Sequence, residues 1–487
     1  EGKMKMKSKF EFVNGSLWEE KKEIPVARNC DVAIAGGGPS GLAAAIASAR
    51  TGADTLLVES QSFLGGVATS TMMAALVDAK RANGISEELI KRMGERNGAP
   101  LLSPEKNVNT IPFDPETFKT CALQMLMESG ASVLFYTIVT EPIVVGDEIR
   151  GFIIENKNGR QAILARQVID CTGDADLAYR AGAPCVKGRE EDGKMRPLSL
   201  LARMGGVDVY KTLKYLEENP EEIQPQYRNG GILKAGEEDV VQRLSGFYKL
   251  VEQAKEEGGL FPECHYFRLE NLWASRGTVI CNTARAYFLD GTDADDLTRA
   301  EIICRRQIDK LLEFARKYVP GFENAFVIDI SSRLGVRETR RIKGVYTLTD
   351  EDAYGDATFE DPILFLSGNL VKRPLPKDLD VHMPEPIEGS DKDWLEKYPE
   401  RVPMEHHEYQ LPLRCLIPQN IRNLLVAGRS LSVSHMIDSF TRNMIPCMWF
   451  GQAAGAAAGL CIKYDTIPAE LEYEKLHQEL KRQGLTF

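Results

Sequence analysis

CDVAIAGGGPSGLAAAIASARTGADTLLVESQSFLGGVAT, residues 30–69, is the stretch from which the rest of the 487-residue chain is read. Val32, Ala33, Ile34 and Ala35 make an apolar run with the length of a fully buried parallel strand. Gly36, Gly38 and Gly41 follow at the spacing G-x-G-x-x-G, then an Ala-rich helix closed by Gly52 and a second strand, residues 55–58, that ends on Glu59. The first glycine permits the tight turn, the second lets the backbone approach a pyrophosphate, and the third lets the helix lie close on the sheet. Pro39 suits the first helical turn, where a missing N–H costs nothing, and Ser40 follows it. A helix N-terminus placed here offers unpaired N–H groups and a partial positive charge to phosphates. Glu59 lies 18 residues after Gly41, where an acid hydrogen-bonds an adenosine ribose. Strand, glycines, helix, strand and acid in this order predict dinucleotide binding.

Composition bounds the rest. A chain of this length with 43% hydrophobic residues can bury a large core and divides into two or three domains. Its net charge of −11, with no long basic run, disfavours nucleic acid and anionic membrane surfaces as partners. Ten cysteines without C-x-x-C or metal-ligand spacing read as reduced thiols of a cytoplasmic protein, with no metal site. Residues 1–9 are basic but lack the apolar centre of a signal peptide. Residues 447–462 are the most apolar stretch; 16 residues interrupted by Gln452 are too short and too polar for a membrane span.

Along the chain, residues 10–29 form an extended, charged lead-in. Helices are predicted over 86–96 and from Pro115 to the stop at Gly130, followed by a strand over 132–139 and hairpins at 147–148 and 156–159. A strand then ends in Thr172, Gly173 and Asp174. From 186 to about 345 the pattern changes to helices at 207–217, 238–256 and 294–319 with short strands between, such as 278–281. Residues 346–410 are rich in proline and acid and read as a long loop at a domain seam, where His406 and His407 suit a charged loop better than a metal site. A strand over 423–427 leads to Gly428 and Arg429. The last core helix begins near 443–446 and repeats Gly451, Gly455 and Gly459 every four residues, a stripe that predicts close helix–sheet packing. Its N-terminus, with Met444 and Ile445, is placed to face a bound ring.

These pieces resemble the FAD-dependent oxidoreductase family, which shares the glutathione-reductase-type fold with the fumarate reductase flavoproteins. The matching runs are residues 36–41, 65–69, 169–174, 335–341, 380–382, 423–429 and 451–455, in the family's order. The resemblance implies an α/β fold: a Rossmann-like FAD-binding domain, a ββα-type three-layer sandwich, from 25–185 and 411–465. An α+β cap or substrate domain would be inserted at 186–345, with a C-terminal helix in 466–487. It implies FAD on Gly36, Gly38, Pro39, Ser40, Gly41, Glu59, Ser60, Gly65, Gly66, Val67, Ala68 and Thr69. Further contacts would come from Val139 near the adenine, and from Thr172, Gly173, Asp174, Gly428, Arg429, Met444 and Ile445. Two departures stand out: Arg429 follows Gly428 where the family places an aspartate, and Leu413 precedes Arg414 in place of an aromatic.

The flavin supplies the redox step, and the protein adds orientation, a proton path and charge stabilisation. His435 and His382 are the candidate proton carriers, and Arg337 and Arg442 the candidate clamps for a carboxylate or a polarised carbonyl. Arg341 and Arg414 are alternatives, Arg340 and Arg341 also suit solvation or pairing with Glu338, and His265 and Tyr266 are outsiders. The favoured activity is hydride transfer from an alcohol- or amine-type carbon of a small metabolite to FAD, with no separate nicotinamide-binding domain. Reduction of an activated double bond is the alternative, and an FAD-binding subunit of an electron-transfer complex is the reading from another class. A homo-oligomer and an electron-accepting partner chain both stay open.

Overall fold

The strand Val26–Ala35 and the helix Pro39–Thr51 form where the spacing predicts them, in a computed structural model describing residues 10–99, 110–190, 192–223, 240–355, 357–368 and 407–486. Pro39 fills the first turn of the helix, and Gly52 closes it at φ 100°, in the left-handed region. The strand sits inside a seven-stranded sheet. Its neighbours run in the order Ser132–Leu134, Thr55–Val58, Val26–Ala35, Gly159–Asp170, Glu148–Asn156 and Ile138–Val145. The first four are parallel, and the last two fold back as an antiparallel meander. Gly159–Asp170 is long enough to serve two neighbours on one edge. Its start pairs with the meander, and its last three residues pair in parallel with Leu424–Val426. The chain therefore returns from its C-terminal part to deliver Gly428 beside the strand ends from which Gly36 and Thr172 emerge. The carboxyl ends of parallel strands are where such sheets bind ligands.

The single strand expected over 132–139 is instead two, Ser132–Leu134 and Ile138–Val145. The chain turns at Tyr136, φ 52°, so that Thr137 N–H reaches Glu59 O after Leu134 O has accepted from Glu59 N–H.

The helix Met444–Tyr464 corrects the expected partner of its glycine stripe. It packs on the Pro39 helix rather than primarily on the sheet. A Cβ built on Gly451 would lie 2.0 Å from Ser40 O, and one on Gly455 2.1 Å from Ala44 O. Ser40, Ala44 and Ser48 form a second small-residue stripe at the same spacing, so the two backbones meet stripe to stripe. The helix is long and apolar enough to cross a membrane by composition, yet 94% of its most apolar window is buried inside the molecule.

A second, antiparallel sheet takes the order Val240–Gly246, Phe267–Trp273, Thr278–Cys281, Ala202–Gly205 and Phe326–Ile330. One face carries its own core with the helices Val209–Glu218, Tyr248–Glu256 and Ala294–Tyr318. Phe267 and Leu269 point into that core, whereas Arg268 and Glu270 alternate onto the other face. The helix expected over 238–256 is corrected here: Val240–Gly246 is a strand and only Tyr248–Glu256 is helical. Adjacent Val240 and Val241 favour the pleat. At Gly246 a Cβ would lie 1.8 Å from Glu222 O, so the glycine admits the bridge to Ile223 that ends the strand.

The segment read as a loop over 346–410 contains a helix, Asp350–Tyr354, and a ladder between Pro362–Gly368 and His407–Pro412. Residues 380–382, with the candidate His382, and His406 lie outside the described residues.

Candidate functional site

The two glycine loops of the N-terminal unit are tied together. Gly65 N–H donates to Gly37 O at 2.8 Å, and Gly37 N–H donates to Glu59 Oε2 at 2.7 Å. Glu59 is 7% exposed, and its other oxygen accepts from Gln61 N–H at 2.7 Å and from Ser60 Oγ. Ser60 in turn accepts from Arg333 at 2.7 Å. The three fingerprint glycines differ in what demands them. A Cβ on Gly36 would lie 2.5 Å from Cys171 O and one on Gly41 1.8 Å from Gly36 O, so the fold itself requires both. A Cβ on Gly38 would meet no protein atom nearer than Gly66 Cα at 4.0 Å. The space above Gly38 is thus open in the protein, at the N-terminus of the Pro39 helix. Val67 and Ala68 belong to the short turn Gly66–Ala68, and Thr69 turns its hydroxyl inward to Leu64 O at 2.8 Å.

Thr172 is held by Asp170, a buried carboxylate that sequence reading passed over. It accepts from Thr172 N–H at 2.9 Å, Thr172 Oγ1 at 2.7 Å and Ala178 N–H at 2.8 Å, and burial pushes its carboxyl upward. Arg429 closes the same turn: its Nε donates to Gly173 O at 2.5 Å, and its other nitrogens reach Val336 O and Asp174. Asp174 also accepts from Thr339 Oγ1 at 2.7 Å. The arginine found in place of the family's aspartate therefore clips the Gly173 turn to the segment leading into Arg337. Gly428, φ 106°, rests against Ser40, where a Cβ would lie 2.8 Å from the hydroxyl. Met444 and Ile445 begin their helix fully packed, and Val139 lies in the meander strand Ile138–Val145.

His435 opens the short helix His435–Thr441, capped by Ser434, with Arg442 at its C-terminal end. Its Nδ1 lies 2.7 Å from Glu338 Oε1, and both side chains are buried. Arg341 also pairs with Glu338 and donates to Val433 O at 2.9 Å and Gly188 O at 2.9 Å. Arg196 bridges Glu338 at 3.3 Å and Asp438 at 2.7 Å. Burial pushes the Glu338 carboxyl up, but the His435 hydrogen bond and the charges of Arg196, His435 and Arg341 outweigh it and hold it below the usual range. Of the sequence readings of Arg341, pairing with Glu338 is realised and solvation is not; as an alternative clamp it is already committed to Glu338 and Glu190. Arg340 pairs with Asp176 at 2.9 Å and lies over the Tyr179 ring.

Arg337 donates from Nη1 to Pro197 O at 2.6 Å and is half-buried. Burial first, and then the like charges of Arg285, Arg442 and Arg268, push its guanidinium well below its ordinary value. Arg442 lies near enough to Arg337 for its charge to act there, and His435 meets Glu338, the residue after Arg337, at one seam between the parallel sheet and the antiparallel one. Arg414 stands apart, bound to Asp361 at 2.9 Å. Across the seam, Asn282 donates to Glu270 Oε1 at 3.1 Å and to Met73 Sδ at 3.8 Å, so the polar face of the second sheet looks onto the loop after Thr69. Arg196 and Arg285 belong to no motif. The one signal for Arg285 was a cation set between Ala284 and Ala286.

A family model described as FAD dependent oxidoreductase matches residues 31–480. The thiamine thiazole synthase of Methanococcus vannielii is 31% identical over 178 residues, covering 34% of this chain and 61% of that protein. The digeranylgeranylglycerophospholipid reductase of Methanoculleus marisnigri is 27% identical over 179 residues, covering 32% of this chain and 42% of that protein. The chain therefore matches less than two thirds of either relative's length. Among solved structures, a geranylgeranyl bacteriochlorophyll reductase-like protein of Thermoplasma acidophilum aligns with 93% of this chain and 83% of its own at 13% identity and TM-score 0.47. A myxobacterial FAD-dependent chondrochloren halogenase aligns with 94% and 79% at 12% identity and TM-score 0.49.

Proposed function

The chain belongs to the FAD dependent oxidoreductase family, and on that premise we propose that it oxidises an alcohol- or amine-type carbon of a small metabolite by hydride transfer to the flavin. FAD is its cofactor. The residues present fit that group: the open space above Gly38 is one that a side chain would fill, and Glu59 is oriented beside it. We propose Gly36, Gly38, Gly41, Glu59, Gly65, Gly66, Thr172, Gly173 and Gly428 as the residues that hold FAD. Bound there, the flavin supplies the two-electron chemistry.

The observation that carries the oxidation reading is the 2.7 Å contact between His435 Nδ1 and Glu338 Oε1. A carboxylate against one ring nitrogen orients an imidazole and stabilises its protonated form. In the proposed reaction the substrate's C–H leaves as hydride and its O–H or N–H proton passes to His435. The residues around 186–345 form the proposed cap that shapes the pocket.

The purified protein is expected to be yellow and to release FAD on denaturation. Under anaerobic conditions, bleaching by one of a panel of polyols, hydroxy acids and amines supports this reading. Reoxidation of pre-reduced protein by an enoate, with no bleaching by the saturated panel, would replace it by double-bond reduction. Silence toward every small molecule, with a partner chain recovered instead, would make it an electron-transfer subunit. His435→Asn, Arg337→Gln and Arg442→Gln should each slow substrate-driven bleaching at least about tenfold while keeping FAD, since general acid–base groups contribute about 10²–10⁴-fold. Native rates in all three variants would remove these residues from the chemistry.

The fingerprint glycines provide a separate check. Gly38→Val should fold and melt like the FAD-free native protein, because no protein atom contests the space, yet lose FAD on gel filtration. Retention of stoichiometric FAD by that variant would place the cofactor elsewhere.

A further inference from the structure

We infer that Arg285, Arg337 and the Tyr266 hydroxyl form an oxyanion subsite at the seam that takes a carboxylate carried by the substrate. The inference deepens the function proposed above and rests on its placing the substrate at this seam.

Backbone geometry brings the two arginines together. The two-residue strand Leu198–Ser199 pairs on one side with Arg285–Ala286, where Ser199 opposes Arg285. On its other side Ser199 bridges Gly335, with Gly335 N–H donating to Ser199 O at 2.6 Å. Arg337, two residues on, reaches back over the same strand to Pro197 O at 2.6 Å. Arg285 is 9% exposed; its Nη2 lies 3.3 Å from Asn282 O and 3.5 Å from Tyr266 Oη, and its buried Nη1 has no hydrogen-bond partner.

What sets these two apart is the absence of a counter-charge. Arg341 and Arg196 pair with Glu338, Arg196 also with Asp438, and Arg268 with Glu270 at 2.8 Å. Among the described residues, neither Arg285 nor Arg337 forms an ion pair. A guanidinium does not readily shed its charge, and burying one without a partner is costly. Buried Arg285, with the half-buried Arg337 on the other side of the same strand, is therefore compensated when an anion enters. The planar forks match the two oxygens of a carboxylate, and a phenol O–H adds a third donor. The local field carries the same sign at Tyr266. Burial pushes its phenol up, but the charges of Arg285 and Arg268, the hydrogen bond from Arg285 and the charge of Arg337 bring it down to about 8.

The test uses acetate as probe, with acetamide as its neutral match, at constant ionic strength and pH 6.5, on the FAD-loaded and the FAD-stripped protein. Acetate should raise the melting temperature of both forms and perturb the flavin spectrum of the loaded one, whereas acetamide should do neither. Arg285→Gln and Arg337→Gln should each weaken acetate binding at least tenfold. Without acetate, Arg285→Gln should melt at or above the native temperature, because an uncompensated buried charge has been removed; a merely structural arginine would give the reverse. Failure of acetate to bind either form overturns the proposal. In that case, a shifted flavin midpoint potential in Arg285→Gln would assign the arginines to the cofactor. Tighter binding of inorganic phosphate than of acetate would overturn the carboxylate assignment. Acetate binding by the stripped protein is independent of whether any alcohol or amine bleaches the flavin, so this inference and the proposed reaction fail separately.

Discussion

Gly455→Ala is expected to lose about 3 kcal/mol of stability, at the upper end of the range for overpacking a close contact. The added Cβ would lie 2.1 Å from Ala44 O, which is backbone and cannot swing aside as the end of a flexible side chain could. The Met444–Tyr464 and Pro39–Thr51 helices must then separate. The Pro39 helix also presents its N-terminus at the FAD cradle, so the variant should lose FAD as well as stability. That pairing distinguishes it from Gly38→Val, which should lose FAD alone. Chemical denaturation of the FAD-free proteins, followed by FAD titration, measures both effects. A Gly455→Ala protein as stable as the native one would mean that the two helices do not touch in solution.

Glu338→Ala should cost roughly 3–5 kcal/mol, the range for removing one partner of a buried ion pair. Arg341 and His435 would lose the carboxylate they share, and Arg196 would lose one of its two. The pH dependence has a definite sign. The folded Glu338 carboxyl lies below its ordinary value of 4.5, so its stabilisation is complete above that value and is lost as pH falls through the lower folded value. Acid unfolding of the native protein should therefore have a component in that window that Glu338→Gln lacks. Coincident acid profiles for the two proteins would show that Glu338 is not held ionised by its neighbours.

Local signals carried much of the nucleotide-binding unit. Pro39, Gly52, Pro115 and Gly130 act within a few residues of their own positions, and the helix bounds they predict appear in the structure. The same local reading missed at 238–256. There Val240–Gly246 is held as a strand by pairing with Phe267–Trp273, a partner outside any window used to judge periodicity. It also misassigned the Gly451 stripe, because a row of small residues states that a backbone comes close without stating which one.

What the sequence determined by itself is therefore the strand–glycine–helix unit of residues 30–69, the dinucleotide reading drawn from it, and the short motifs that come back to the same sheet. Each depends on the conformational freedom of particular residues or on spacing along a few turns of chain. Only the tertiary structure decided that His435 meets Glu338 across 97 positions, that Arg196 joins them, and that Arg285 and Arg337 come from segments on either side of Leu198–Ser199 without a carboxylate. Charges are compensated or left uncompensated by whatever the fold brings within a few ångströms, and that proximity is set by sheet pairing and packing over the whole chain.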